Sequence, residues 1–262
     1  MNELKNLTRE QLQAMGLNDQ QIDAILGATS ANEKAGGLPF PLLKVNFDPD
    51  LGKVGAYGYS PIKKDKQTIK YEFIVDEIKV RFLKSMYQYS KFDTTENRPT
   101  VTSNVFALKN AKKAYDLKTG TSINELKAVD DGIKFQRILL GVLDINGEQK
   151  PFIMYAKGSF LFGLNDILRK FPNDGHMTHQ FTLGTEKRKK GTVVWFMPKL
   201  IDAKELNQQE FISNLKSDAN LITEFDKWAE QINSSADTAE EAPNKKIDNS
   251  VTTEEDEDEI NF

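Results

Sequence analysis

The sequence predicts a mainly β protein, a small barrel or sandwich of short strands with peripheral helices and a disordered, acidic C-terminal tail. Apolar and polar residues alternate with a period of two in several segments between residues 42 and 200, as in half-buried strands. Asn146-Gly147, the strongest short signal for a β-hairpin, separates two of these segments. After Ser234 the chain is polar, charged and nearly free of aromatic residues, so it cannot bury enough apolar surface to fold.

The order of helix and strand signals divides the chain into five regions. Thr8 with Gln11 forms a capping box near the start, and Gly16 closes the helix that this box opens. A second short helix follows, and then a hinge that contains glycine and proline. The predicted regions are a helical pair at residues 1–30, the hinge at 31–41, a β domain at 42–200, amphipathic C-terminal helices at 201–233 and the disordered tail at 234–262.

The β domain contains one predicted helix among its strands. Ser159 can cap this helix, apolar residues recur in it at helical spacing, and Pro172 stops it. A lysine-rich segment at residues 109–132 is interpreted as a long loop with some helix, and the cations from Lys187 to Lys190 as a hairpin loop. Strands are predicted at residues 68–75, 78–92, 135–143, 152–157, 176–186 and 192–197.

Composition excludes several classes of function. The chain has no cysteine, which excludes disulfides, thiolate zinc sites and cysteine nucleophiles and fits a reducing compartment. No apolar run approaches the roughly 18 residues of a membrane span, and the polar N-terminus has no secretory signal. We therefore expect no membrane association and a cytoplasmic location, which is the host-cell cytoplasm if the protein is viral. Because no catalytic or phosphate-loop motif is present, we expect a non-enzymatic protein with no cofactor and no metal site.

Charge and aromatic residues are concentrated in the same part of the chain. The net charge is −4, yet residues 41–200 carry +10 and residues 234–262 carry −8. Of the 25 aromatic residues, 20 lie in the basic region. Proteins that bind single-stranded nucleic acid combine cations, which follow the phosphates, with flat rings that stack on unpaired bases. The pattern predicts this kind of binding, and among small barrels it favours the OB-like barrel, which binds oligonucleotides.

The candidate binding residues are rings that share a strand face with a cation, and cations that cluster at turns. Simple alternation places Arg81, Lys91 and the tyrosines between them on one face of the strand at residues 78–92. Several phenylalanines, Phe196 among them, are expected in the core instead. The predicted nucleic-acid-binding residues are Tyr57, Tyr59, Lys63, Lys64, Arg81, Lys84, Tyr87, Tyr89, Lys91, Arg137, Tyr155, Lys157, Lys187, Arg188, Lys189, Lys190 and Trp195.

The last nine residues form the sharpest motif in the sequence. Six consecutive acidic residues precede two apolar residues at the end of the chain. Acids suit a basic rim and a terminal ring suits a pocket, which is the pattern of a docking peptide rather than of a purely solubilising tail. The predicted partner-binding residues are Glu254, Glu255, Asp256, Glu257, Asp258, Glu259, Ile260 and Phe262.

This arrangement resembles bacterial and bacteriophage single-stranded-DNA-binding proteins, in which an OB-fold body is followed by a disordered linker and an acidic tip ending in phenylalanine. It departs from the bacterial form at Asn261, where proline usually precedes the last residue. The resemblance implies a protein that coats and protects unpaired DNA in replication, recombination or repair. It also implies that the tail recruits replication and recombination proteins and occupies the DNA groove when DNA is absent.

Three alternatives stay open at the level of the sequence. A single-strand annealing recombination protein would use the same charged surface. A nuclease with dispersed carboxylates is the enzymatic alternative. A sequence-specific duplex regulator is disfavoured, because the basic residues lie among strands rather than on a recognition helix. The sequence decides neither between DNA and RNA nor whether the chain forms a homo-oligomer.

Overall fold

One large sheet dominates the fold. The structure, a computed structural model, describes residues 13, 14, 16, 22, 39–60, 71–96, 98–171 and 175–234. The strands are β1 (Leu42–Val45), β2 (Tyr57–Ser60), β3 (Phe73–Val75), β4 (Ile78–Asp93), β5 (Arg98–Thr102), β6 (Lys134–Ile145), β7 (Glu148–Lys157), β8 (His179–Lys190) and β9 (Val193–Glu205). The helices are α1 (Ile123–Val129), α2 (Gly158–Leu168), α3 (Gly175–Thr178) and α4 (Gln208–Ser234), with short 3-10 helices at Pro49–Leu51 and Leu108–Lys113.

The strands are ordered β3-β2-β1-β7-β6-β4-β8-β9 across the sheet, and β5 adds to the last residues of β4. The pairings are antiparallel except for a short parallel contact between β1 and β7. β4 is the central strand, because it pairs with β6 over most of its length and with β8 over its first three residues. The prediction of a mainly β fold with helical additions is confirmed.

The Asn146-Gly147 turn joins β6 to β7 as the sequence predicts. The φ angles of the two residues are 53° and 85°, which is the left-handed combination that a two-residue hairpin turn requires. A side-chain oxygen of Asp144 accepts a hydrogen bond from the Gly147 N–H at 2.9 Å and closes the turn. The hairpin pairs β6 with β7 from Ile145 and Glu148 to Gln136 and Lys157.

The sheet curls until strands from its two ends come into contact. Four strands separate β2 from β8 in the sheet order, yet the Tyr57 hydroxyl donates a hydrogen bond to the Gly184 carbonyl at 3.1 Å. The Thr185 hydroxyl of β8 donates in turn to the Gly55 carbonyl. Within the described residues, the terminal strands β3 and β9 do not pair with each other, so the sheet stays open. A closed OB-like barrel is therefore not confirmed.

Helix α2 covers the inner face of the curled sheet. One side of the helix carries buried apolar residues, and burying each such side chain contributes about 1.5–3 kcal/mol. The helix is confirmed, but its N-cap is Lys157 rather than the predicted Ser159, which lies inside the first turn. This inner core joins Leu161, Leu164, Ile167 and Leu168 of the helix to Phe82, Leu139, Phe152 and Phe181 of the strands.

Helix α4 covers the outer face. It begins with a reciprocal cap, in which Glu210 N–H donates to the Asn207 side chain and Asn207 N–H donates to the Glu210 carboxylate. The predicted C-terminal helical region is thus one long amphipathic helix. Within the described ranges, no helix is both long and apolar enough to cross a bilayer. The outer core joins Ile222, Phe225, Trp228 and Ala229 of the helix to Ile138, Leu140, Val142 and Ile153 of the sheet.

Several predicted boundaries differ from the structure, and residues 176–178, predicted as strand, lie in α3. The four cations from Lys187 to Lys190 lie on β8 and not in a loop, and only Gly191 and Thr192 connect β8 to β9. Pairing with the β-branched and aromatic residues at the start of β9 supports the strand despite the low strand propensity of lysine. The boundary predicted at residue 200 falls inside β9, which continues to Glu205.

Candidate functional site

A groove lies beside the last residues of β7, where β1 no longer pairs with this strand. β1 pairs with β7 only at Leu42 and Ile153, and β7 then continues to Lys157 with no strand on that side among the described residues. The start of β9 lies across the gap, and the enclosed volume is about 430 Å³. The groove is lined by Leu42, Lys44, Val45, Phe47, Met154, Tyr155, Lys157, Ser159, Phe160, Trp195 and Phe196.

Five of the lining side chains are aromatic. Phe47, directly after β1, leaves 61% of its surface exposed, although an exposed ring of this size is unfavourable in water. Its ring meets Phe196 edge to face, with the ring centroids 5.7 Å apart. Trp195 and Tyr155 are half-buried, and the ring of Tyr155 packs against the outer core. The groove therefore presents several flat apolar surfaces to a ligand.

Phe196 is held in place by the backbone beneath it. Gly55 has φ +89°, and a Cβ at this position would lie 2.2 Å from a ring atom of Phe196. Only glycine tolerates both this conformation and this close approach. Phe196 also belongs to the inner core, so this side of the groove is formed by a packed core residue.

Two lysines, Lys44 and Lys157, also line the groove. The Lys44 ammonium lies 5.4 Å from the centre of the ring of Tyr71, which is not a lining residue, and Lys157 is exposed at the end of β7. In the described part of the chain, neither lysine has a carboxylate partner. Helix α2 starts at the same edge, and its N-cap side chain makes no hydrogen bond to the first turn. The local potential is positive, because the N-terminus of a helix also carries partial positive charge.

The basic hairpin of β8 and β9 continues this positive region. Lys187 is paired across the strands with Phe196, and Arg188 with Trp195, so each cation shares a sheet face with a groove ring. Arg188 pairs with Glu186 at 2.9 Å on an exposed surface. Across the described ranges, Lys187, Lys189 and Lys190 have no ion-pair partner. Uncompensated cations therefore lie directly beside the aromatic groove.

Burial of the Tyr155 hydroxyl raises the pKa of this side chain to about 12. The phenol therefore stays neutral near neutral pH. Its ring packs against the outer core and supports the groove wall from behind. Tyr155 and Lys157, which the alternation pattern placed on one face, and Trp195, which it placed on another, all line this groove.

Tyr57 and Tyr59 are not available to a ligand, and this part of the prediction is wrong. Both rings lie in the inner core, where Tyr57 is 0% and Tyr59 3% exposed. The Tyr59 ring stacks on Phe73 with centroids 4.8 Å apart, and its hydroxyl donates to the Pro151 carbonyl. Burial raises the pKa of Tyr57 above its usual value and that of Tyr59 to about 12. The neighbouring glycines, Gly55 and Gly58, leave room for the rings of Phe196 and Tyr71, so they reflect tight packing rather than ligand access.

Arg81 and Lys84 are also placed differently from the prediction. A β-bulge between Phe82 and Lys84 shifts the register of β4 against β6. Arg81 therefore faces the outer side, where its guanidinium forms a two-pronged ion pair with Asp218 of α4. Lys84 lies on the same side and contacts Asp226 at 2.6 Å. Both cations bind α4 to the sheet and are not open to a ligand.

The remaining β4 and β6 candidates lie on the inner side beyond the bulge. Tyr87 stacks on Phe135 with the ring centroids 5.3 Å apart, and Tyr89 contacts the same ring at a tilt, with the centroids 5.1 Å apart. Lys91 pairs with Asp130 at 2.7 Å, and this contact raises the pKa of the lysine. Arg137 lies over the Tyr87 ring. These half-buried side chains form a second cluster of rings and cations, next to α2.

Some groove residues were missed by the sequence analysis. Lys44 lies in β1 and Phe47 follows it, and the prediction did not contain this short strand. Phe160 was assigned only to the apolar side of its helix, and Phe196 only to the core. A signal existed for Phe47, an aromatic residue in a polar context next to Asp48 and Pro49. Lys63 and Lys64, together with the tail residues 254–262, lie outside the described residues.

Comparison of the chain with protein-family models, with curated proteins and with solved structures gave no match.

Proposed function

We propose that the protein binds single-stranded DNA and that the groove between β7 and β9 is the binding site. One observation carries this proposal. Five aromatic residues line one groove of about 430 Å³, together with two lysines that have no carboxylate partner in the described chain. Rings and cations in one groove are what unpaired bases and their phosphates require.

The physical argument separates single strands from other ligands. A duplex hides the faces of its bases, whereas an unpaired strand can stack them on Trp195 or Phe47. Each such stack contributes about 1–3 kcal/mol. The hairpin cations then neutralise phosphates and release counterions, so the affinity should fall steeply with salt.

The fold supports the same proposal at the level of topology. The five strands β4, β6, β7, β8 and β9 form one continuous path, β7-β6-β4-β8-β9, within the larger sheet. We propose that this path is an open OB-like barrel. OB-folds bind oligonucleotides on the face of their second and third strands and with the loop between the fourth and fifth. Here those elements are β6, β7 and the basic β8–β9 hairpin.

The cellular role belongs to the same proposal. A protein with this site coats and protects displaced single strands in replication, recombination or repair without acting as an enzyme. The acidic segment Glu254–Phe262 recruits replication or recombination proteins in this scheme, which rests on the composition of that segment.

Substitution of the groove rings tests the proposal. Trp195→Ala and Phe47→Ala each remove one stacking surface, so we expect the affinity for a labelled oligo-dT to fall about 5- to 150-fold. Phe92→Ala is the matched control, because Phe92 is also an exposed ring, 52% accessible, but does not line the groove. The measurement is fluorescence anisotropy at fixed salt. Equal losses in all three variants, or none in the groove variants, would contradict the proposed site.

A further inference from the structure

Arg137 of β6 is held by neutral groups. Its Nε and one terminal nitrogen donate to the Ser85 hydroxyl at 3.0 and 2.6 Å, and the other terminal nitrogen donates to the Asn165 side chain of α2 at 2.9 Å. Its guanidinium also lies 5.7 Å from the centre of the Tyr87 ring. The side chain is therefore fixed in one orientation by β4, β6 and α2.

Among the described residues Arg137 has no counter-charge, which distinguishes it from three cations of the neighbouring strand β4. Arg81 pairs with Asp218, Lys84 with Asp226, and Lys91 with Asp130. For Arg137, none of the described carboxylates lies within ion-pair distance. Burial lowers the pKa of its guanidinium, as expected for a cation that is desolvated without compensation. Desolvation of an unpaired charge is costly, so the arrangement favours an anionic ligand.

The guanidinium retains donors for such a ligand. It has five N–H groups, and three are used by Ser85 and Asn165. Two N–H groups remain, and the side chain is only partly buried. Guanidinium donors match the oxygens of a phosphate group in geometry as well as in charge.

We infer that Arg137 binds a phosphodiester of the single strand whose bases occupy the groove, an inference that rests on the proposed function. In the strand register Arg137 is paired with Ala156, which shares the inner face of β7 with Met154 of the groove. The strand would thus leave the groove across the end of β7 and continue over β6 toward Tyr87. The second cluster of rings and cations becomes an extension of the binding path.

Salt-dependent binding of oligo-dT tests this inference. Arg137→Gln should lower the magnitude of the slope of log affinity against log salt by about 0.7, the value for a single phosphate. It should also weaken binding several-fold at low salt. Arg137→Lys keeps the charge, so its slope should stay near that of the wild type. Arg169→Gln is the matched control, because it removes an exposed cation from the far end of α2. Thermal melts of each variant confirm that it is folded.

The outcomes separate this inference from the proposed function. If the wild type binds oligo-dT and Trp195→Ala weakens it, but Arg137→Gln keeps the wild-type slope, the inference is overturned and the proposed function stands. If the wild type does not bind oligo-dT, both fail. A second probe is the NMR signal of the Arg137 Nε–H, assigned by its loss in Arg137→Lys. We expect oligo-dT to shift this signal at phosphate concentrations where inorganic phosphate does not. An equal shift with inorganic phosphate would identify a free-anion site and overturn the strand assignment.

Discussion

At the scale of single residues, the decisive property of a cation is whether a carboxylate faces it. Arg81 and Arg137 lie on two neighbouring strands and carry the same charge, but only Arg81 has a buried partner, Asp218. This difference could not be predicted from the sequence, because Asp218 is 137 residues away along the chain. The sequence predicted Arg137 as a candidate binding residue, but not the neutral partners that hold it.

Removal of Arg81 should destabilise the fold. Arg81→Met leaves Asp218 buried without a counter-charge, and we expect the free energy of unfolding to fall by about 3–5 kcal/mol. Urea denaturation followed by circular dichroism measures this change. The double variant Arg81→Met, Asp218→Leu should recover most of the loss, because no unpaired charge then remains. A single variant as stable as the wild type would show that the ion pair does not hold α4 on the sheet.

Buried tyrosines should make the fold sensitive to high pH. Burial raises the pKa of Tyr59 and of Tyr155 from 10.0 to about 12. Because the folded state holds these protons more tightly than the unfolded state, their stabilisation is complete below pH 10 and is lost as the pH approaches 12. Phenolate absorbance should therefore rise in two steps, the second coinciding with unfolding and shrinking in Tyr59→Phe. Ionisation of every tyrosine in one step near pH 10, with the fold intact, would contradict the burial of these hydroxyls.

At the scale of elements, local patterns predicted more than long-range pairings did. The Asn146-Gly147 hairpin, helix α2 and helix α4 follow from turn chemistry and helical periodicity, and all three are present. The bulge at Phe82/Lys84 was not predictable, because one extra residue reverses which alternate residues face inward without changing the composition. That reversal is why Arg81 and Tyr87 lie on opposite faces.

The β8 strand should supply most of the salt dependence of binding. Replacing Lys187, Lys189 and Lys190 by Gln should lower the magnitude of the salt slope by about 0.7 for each phosphate that is no longer neutralised, or about 2 for three phosphates. The control is the same triple replacement at Lys109, Lys112 and Lys113, exposed cations in the 3-10 helix Leu108–Lys113. Anisotropy titrations at several salt concentrations measure both slopes. Identical reductions would mean that the cations act only through net charge.

At the scale of the whole molecule, the groove is a product of sheet curvature. β7 and β9 are at opposite ends of the path β7-β6-β4-β8-β9, and curling brings the end of one beside the start of the other. The sequence predicted a mainly β fold with helical additions and the mixture of rings and cations. It did not predict which rings converge, because convergence depends on strand order and curvature and not on spacing along the chain. Three predicted residues, Tyr155, Lys157 and Trp195, meet in the groove.

Trp195 fluorescence tests the central claim most directly. The chain has two tryptophans, and the other, Trp228, is buried between α4 and the sheet, so Trp228→Phe leaves Trp195 as the sole reporter in the groove. Titration of this variant with oligo-dT at low salt should quench the fluorescence saturably, because stacked bases quench indole emission. High salt should reverse the quenching, and a duplex of the same length should not compete. If oligo-dT binds but the Trp195 fluorescence does not change, the binding site lies elsewhere. If oligo-dT does not bind at all, the proposed function is refuted.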